Sequence, residues 1–193
     1  MGAALAGDDL ARSSQATFRS IMTAIAYPGR IERVAGLESG GPLPACMGEV
    51  AQALCDYETS IWLDPALNCP AIVEWLRFRT GAPLVEKMGD ASFAFVADGA
   101  GVPRLDRLAL GTDEYPDRST TLVVAVHELA NGEGMRLFGP GIKEEMRLRV
   151  GPLRNDLLAE RGALAAVFPR GVDLIFVCGD RLAALPRTTH VEA

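Results

Sequence analysis

The chain has 193 residues, 49% of them apolar and 23% charged, the size and balance of one domain spanning 1–193. Such a length buries roughly 70% of its unfolded surface without staples. A formal charge of −6 argues against a general nucleic-acid binder, and four cysteines without C-x-x-C spacing beside two histidines give no zinc template from sequence neighbours.

No apolar run approaches the ~20 residues of a membrane span. The start, MGAALAGDDLARSS, has no basic stretch followed by an apolar one, and Ala6 stands where a myristoylation signal needs Ser or Thr. The reading is a cytoplasmic protein, with Cys46, Cys55, Cys69 and Cys178 as reduced core residues.

In chain order, Ser13 or Ser14 is placed to cap a first helix. Phe18, Ile21, Met22 and Ile25 form its apolar stripe, and Pro28-Gly29 stops it. Arg30–Val34 predicts a short strand, Leu37–Pro44 a loop rich in Gly and Pro, and Met47–Leu54 a helix. Thr59–Leu63 predicts a strand broken by Asp64-Pro65. Asn68 is placed to cap a third helix with Pro70 in its first turn and Gly81 just past its end; Ile72, Trp75, Leu76 and Arg79 recur along one side. Ser92–Ala97 predicts a strand, Leu105–Leu110 a short helix and Asp113–Ser119 a polar loop.

Thr120–Val126 is the most strand-like run, β-branched and uncharged. Asn131-Gly132 reads as a turn. Met135–Phe138 and Met146–Val150 read as two short antiparallel strands flanking Gly139-Pro140-Gly141. Asn155 or Asp156 caps a last helix, Leu157–Val167, ended by Phe168-Pro169. Val172–Cys178 predicts a buried strand, Gly179-Asp180 a turn and Leu182–Leu185 the returning strand, ended by Pro186. Apolar strands alternating with helices give an α/β sheet covered on both faces, made mixed by the late hairpins.

Known catalytic signatures are missing. The Gly-x-Gly matches at 132–134 and 139–141 lack the strand-to-helix setting of a dinucleotide or phosphate loop, and read as backbone turns. Lys87 and Lys143, the two lysines, sit in charged, turn-like contexts and read as surface residues rather than Schiff-base carriers. No Gly-x-Ser-x-Gly elbow occurs. His127, at a strand end beside Glu128, reads as solvated or hydrogen-bonded.

The tail is different. Arg187, Thr188, Thr189 and His190, with Glu192, place a cation, two hydroxyls and an imidazole just past a buried strand. Guanidinium and hydroxyl groups suit phosphate or phosphonate oxygens. Equally, the two threonines satisfy a buried chain end while Arg187 pairs with Glu192; as a contact surface, the segment also suits another protein chain as its partner.

LPRTTHVE at the end, PGRI at 28–31, SIWLDPALN at 60–68 and RFRTGAP at 77–83 resemble the PhnH family, one component of the bacterial carbon–phosphorus lyase system of phosphonate metabolism. The resemblance covers nearly the whole chain from Gln15. It implies a three-layer α/β/α sandwich with a mixed sheet, resembling a degenerate pyridoxal-phosphate-transferase fold without the cofactor. It further implies a homodimer, assembly with subunits G, I and J (with K and L in the pathway), and no cofactor or metal of its own. The implied function is that of a subunit needed to make alpha-D-ribose 1-methylphosphonate 5-triphosphate from ATP and methylphosphonate. Two roles fit: a scaffold, or a contributor of Arg187, Thr188, Thr189 and His190 to a composite active site. A free-standing transferase is the third reading. The family supplies no catalytic residue to carry over.

Overall fold

The computed structural model describes residues 2–34 and 41–192, with side chains from residue 13 onward; residues 37–40 of the expected loop Leu37–Pro44 lie outside the described residues. The elements are α1 (Gly2–Ala26), β1 (Glu32–Arg33), α2 (Ala45–Leu54), β2 (Ile61–Leu63), α3 (Pro70–Thr80), β3 (Phe93–Val96), β4 (Thr121–Ala125), β5 (Glu128–Phe138), β6 (Met146–Gly151), α4 (Leu157–Leu164), β7 (Asp173–Cys178), β8 (Arg181–Leu185) and β9 (His190–Glu192).

Four short apolar runs form the centre of a six-stranded sheet of order β1-β8-β7-β4-β3-β2. β2, β3, β4 and β7 are parallel, and β8 and β1 return antiparallel, which makes the sheet mixed. Strand side chains alternate between faces, so β2, β3, β4, β7 and β8 each feed two cores. Phe95, Val123, Ile175 and Ala184 meet Ile21 of α1, Met47 and Val50 of α2, and Leu76 of α3 on one face. Val96, Leu122, Val124, Phe176 and Leu185 meet Leu129, Leu137 and Leu148 of β5 and β6, and Leu157 of α4, on the other. Three helices cover the first face. An antiparallel sheet of order β6-β5-β9, joined by α4 and short 3-10 turns, covers the second.

Several expectations shift. α1 begins at Gly2, so Ser13 and Ser14 lie within it rather than at its cap; its alanine-rich start favours helix. Its buried line is Thr17, Ile21 and Ala24 at helical spacing, while Phe18 and Met22 stand 44% and 46% exposed, one residue further round. α3 is preceded by Cys69 at the cap position, not Asn68, and Gly81 closes it in the left-handed region at φ 70°. The turn before α3 is instead held by Asp64, whose carboxylate accepts Leu67 N–H at 2.9 Å and Ala97 N–H at 2.7 Å. One carboxylate thus ties the ends of β2 and β3 together.

Leu105–Leu110 holds one 3-10 turn (Leu105–Arg107), and a second (Pro116–Arg118) interrupts the expected polar loop. Asn131-Gly132 is no turn: β5 runs through it, with a register shift against β6 between Asn131 and Met135. Extra residues are accommodated there as a bulge, and Gly132 and Gly134 supply the positive φ. The Asn131 amide bridges Gly29 O and Arg147 O at 2.9 and 3.1 Å. α4 ends at Leu164 and runs on as a 3-10 turn to Val167.

Candidate functional site

The polar tail lies at the N-terminal end of β7. Counting outward from the Gly179-Asp180 turn, β8 pairs Leu185 with Leu174. Asp173, at the start of β7, therefore falls beside Pro186 and Arg187. The Arg187 backbone N–H donates to Asp173 Oδ1 at 2.6 Å. Its side chain spans the same carboxylate, Nε to Oδ1 at 3.3 Å and Nη2 to Oδ2 at 2.5 Å. Nη1 donates to the carbonyls of Pro116 and Pro169 at 2.6 and 3.3 Å, and Nη2 also donates to Ser119 Oγ. A guanidinium has five N–H donors; in Arg187 every one has an acceptor within the chain.

A second arginine holds the other side of the segment. Arg161 of α4 is 7% exposed. Its Nη1 donates to Thr189 O at 2.9 Å and its Nη2 to the carbonyls of Leu185 (3.2 Å) and Pro186. Burial pulls its pKa down to about 10, with Asp173 opposing. It stays a cation at neutral pH. Its Nε and the Thr189 hydroxyl are buried without a hydrogen-bond partner.

Thr189 is 2% exposed and Thr188 half-buried. His190 is exposed on β9, opposite Phe138 of β5. Glu192 pairs with Arg136 at 3.1 Å and Arg187 with Asp173, so the Arg187–Glu192 pair expected from sequence is not formed. The hairpin register decides this: it sets Asp173, not Glu192, against Arg187. The four residues Arg187–His190 are contiguous but divide, two turned into the body and His190 to solvent.

Other candidates fall elsewhere. Lys87, Lys143 and His127 are all exposed. Cys46 and Cys55 are buried and Cys178 half-buried, but Cys69 is exposed at the foot of α3, against the expectation of a core position. Burial raises the Cys46 thiol to about 12, with Asp180 adding to it, and raises Cys55 further. Both are inert thiols at neutral pH. No group of three or more His, Cys, Asp or Glu residues that could hold a metal ion occurs among the described residues. No helix among them is long and apolar enough to cross a membrane.

Two surface depressions flank the exposed side chain of Phe168. An apolar groove of about 280 Å³ is walled by Pro116, Pro169, Pro186 and Thr188. A narrow cleft, with room for about one water (≈ 10 Å³), is lined by Arg161, Arg170, Arg187 and Gly171. Sequence reasoning missed Arg161 and Arg170; nothing in the local sequence of either marks it, because the residues Arg161 holds are 24 to 28 positions away along the chain. Asp173 was within reach, since the hairpin count alone sets it beside Arg187.

Fold and segment together define a mixed-sheet α/β protein whose C-terminal segment is sewn into the body by two arginines. The sequence matches the family described as bacterial phosphonate metabolism protein (PhnH) over residues 6–192. It is 42% identical over 180 residues to the alpha-D-ribose 1-methylphosphonate 5-triphosphate synthase subunit PhnH of Rhizobium meliloti (strain 1021), covering 93% of this chain and 90% of that relative. It is 36% identical over 183 residues to a putative C-P lyase subunit protein, HtxG, of Stutzerimonas stutzeri, covering 92% and 85%. The chain belongs to the PhnH family.

Proposed function

We propose that this chain is a subunit of the enzyme complex that makes alpha-D-ribose 1-methylphosphonate 5-triphosphate from ATP and methylphosphonate, and that its own part is scaffolding. The observation that carries this is the 42% identity, spread over 93% of the chain, to a relative named as a subunit of that synthase. It acts as one cytoplasmic domain, as a homodimer, with subunits G, I and J. Its layers descend from the sandwich of pyridoxal-phosphate transferases with the cofactor function lost. The exposed positions of Lys87 and Lys143 support that reading, since a Schiff-base lysine needs a desolvated pocket.

Within the tail, the roles divide. Arg187 and Thr189 serve the fold, because every Arg187 donor is spent internally and the Thr189 side chain is buried. Thr188 and His190 supply partner contacts, the two positions with free surface. A direct phosphate contact by Arg187 would first have to break its bonds to Asp173.

The test is co-expression of the tagged chain with G, I and J, followed by assay of ATP and methylphosphonate conversion once L is added. The reading expects a stoichiometric complex that forms product. It expects His190→Ala either to weaken assembly or to leave turnover intact. Loss of product from a fully assembled His190→Ala complex would instead put this residue in a composite active site. A chain that ignores G, I and J would end the subunit proposal.

A further inference from the structure

Buried charge needs a counter-charge, and Arg161 lacks one of its own. Its bonds go to three neutral carbonyls, and the carboxylate whose field reaches it, Asp173, is already clamped by Arg187. Leaving a buried cation uncompensated is costly. Beside it lies Arg170, whose Nε sits 3.1 Å from Asp113 Oδ1 yet lacks an aligned hydrogen bond. The Asp113 side chain is 77% exposed, so it is a loosely held counter-ion. No hydrogen bond from the Arg170 guanidinium occurs among the described residues. Three arginines thus line one cleft, against one carboxylate committed elsewhere and one at the surface.

We infer that this cleft, between α4 and the segment Phe168–Val172, is an oxyanion site in which Arg170 at the rim and Arg161 beneath it take a phosphate, phosphonate or carboxylate group. A guanidinium fork matches two oxygens of such a group, which a halide cannot offer. The cleft admits one oxygen as it stands; the rest of the group lies at the mouth. The walls there are side chains free to swing, Arg170 at 40% and Phe168 at 61% exposed. Asp113 occupies Arg170 until the ligand displaces it. Arg187 adds field but no donor, its five being spent.

The inference does not rest on the subunit reading, and it is tested on the purified full chain without partners. Inorganic phosphate is titrated by calorimetry, with thermal unfolding followed in parallel at constant ionic strength set with chloride. Saturable binding, roughly millimolar, with a rise in melting temperature is expected. Arg170→Gln should weaken it by about tenfold or more, from loss of a charged bidentate donor. Asp113→Asn should tighten it by about threefold, because a competitor is removed. Neither residue supports the core, so both variants fold; Arg161→Met is a further check if it folds.

Methylphosphonate and acetate separate the sources. Binding of the first alone marks a phosphoryl-type ligand, and equal binding of acetate marks a carboxylate-tolerant oxyanion site; either supports the inference. Chloride reproducing the phosphate effect overturns it, as does Arg170→Gln binding phosphate like the parent. Either result would leave the subunit proposal standing.

Discussion

Replacing Arg187 by Met separates a structural arginine from a ligand-binding one. The side chain is 17% exposed and its partner Asp173 28%. Met keeps the apolar stem and removes the fork. The variant leaves the Asp173 carboxylate with the backbone N–H of residue 187 alone, and the Pro116 and Pro169 carbonyls and the Ser119 hydroxyl without their guanidinium donor. Removing one member of a largely buried pair costs about 3–5 kcal/mol. Partial exposure of Asp173 favours the lower end, about 3 kcal/mol. For a chain of this length about 1 kcal/mol moves the midpoint by roughly 2–4 °C, so melting should fall by about 6–12 °C.

The assay is thermal unfolding by circular dichroism. Arg187→Lys should recover less than half of the loss, because an ammonium cannot span both carboxylate oxygens and the two carbonyls. Asp173→Asn should also destabilise, and the double variant should lose less than the sum of the two. If Arg187→Met melts within about 2 °C of the parent, the clamp has no structural weight. Loss of product in an assembled complex at unchanged stability would then make Arg187 a ligand contact.

Other expectations follow from the same geometry. At pH 8 iodoacetamide should label exposed Cys69 in the native chain, with Cys46 and Cys55 labelled only on unfolding, as read by mass spectrometry. Folding holds the Cys46 thiol neutral to about 12 against an ordinary 9.0, so its contribution to stability is complete below pH 9 and lost as pH rises toward 12. Alkaline melting curves of Cys46→Ala and the parent should therefore converge above pH 9. Gly141→Ala should destabilise by more than about 2 kcal/mol, since φ is +84° and the new Cβ would fall 2.0 Å from Ala26 O; urea midpoints read this. Phe176→Ala, at a fully buried position between β7 and the second core, should cost about 3–5 kcal/mol.

The order of elements and the mixed sheet were legible because hydrophobic period is a local property. Thr120–Val126 and Val172–Cys178 read as buried strands, being short and β-branched, and Gly179-Asp180 reads as the turn that brings the second back on itself. Family membership was legible too, since LPRTTHVE and RFRTGAP are contiguous in sequence. Which side of α1 faces the core was not: Phe18 and Ile21 are equally apolar, and only packing of α1 on α2 and β8 selects Thr17, Ile21 and Ala24.

The tail shows the same division. Its sequence announces an arginine, two hydroxyls and a histidine close together. What each does depends on residues 14 to 71 positions away: Asp173, Pro116 and Pro169 take up the Arg187 donors, and Arg161 takes up the carbonyls behind it. Composition fixes which charges the chain owns. Only the tertiary structure decides which find partners, because pairing depends on distance in space, and distance in space is set by the sheet.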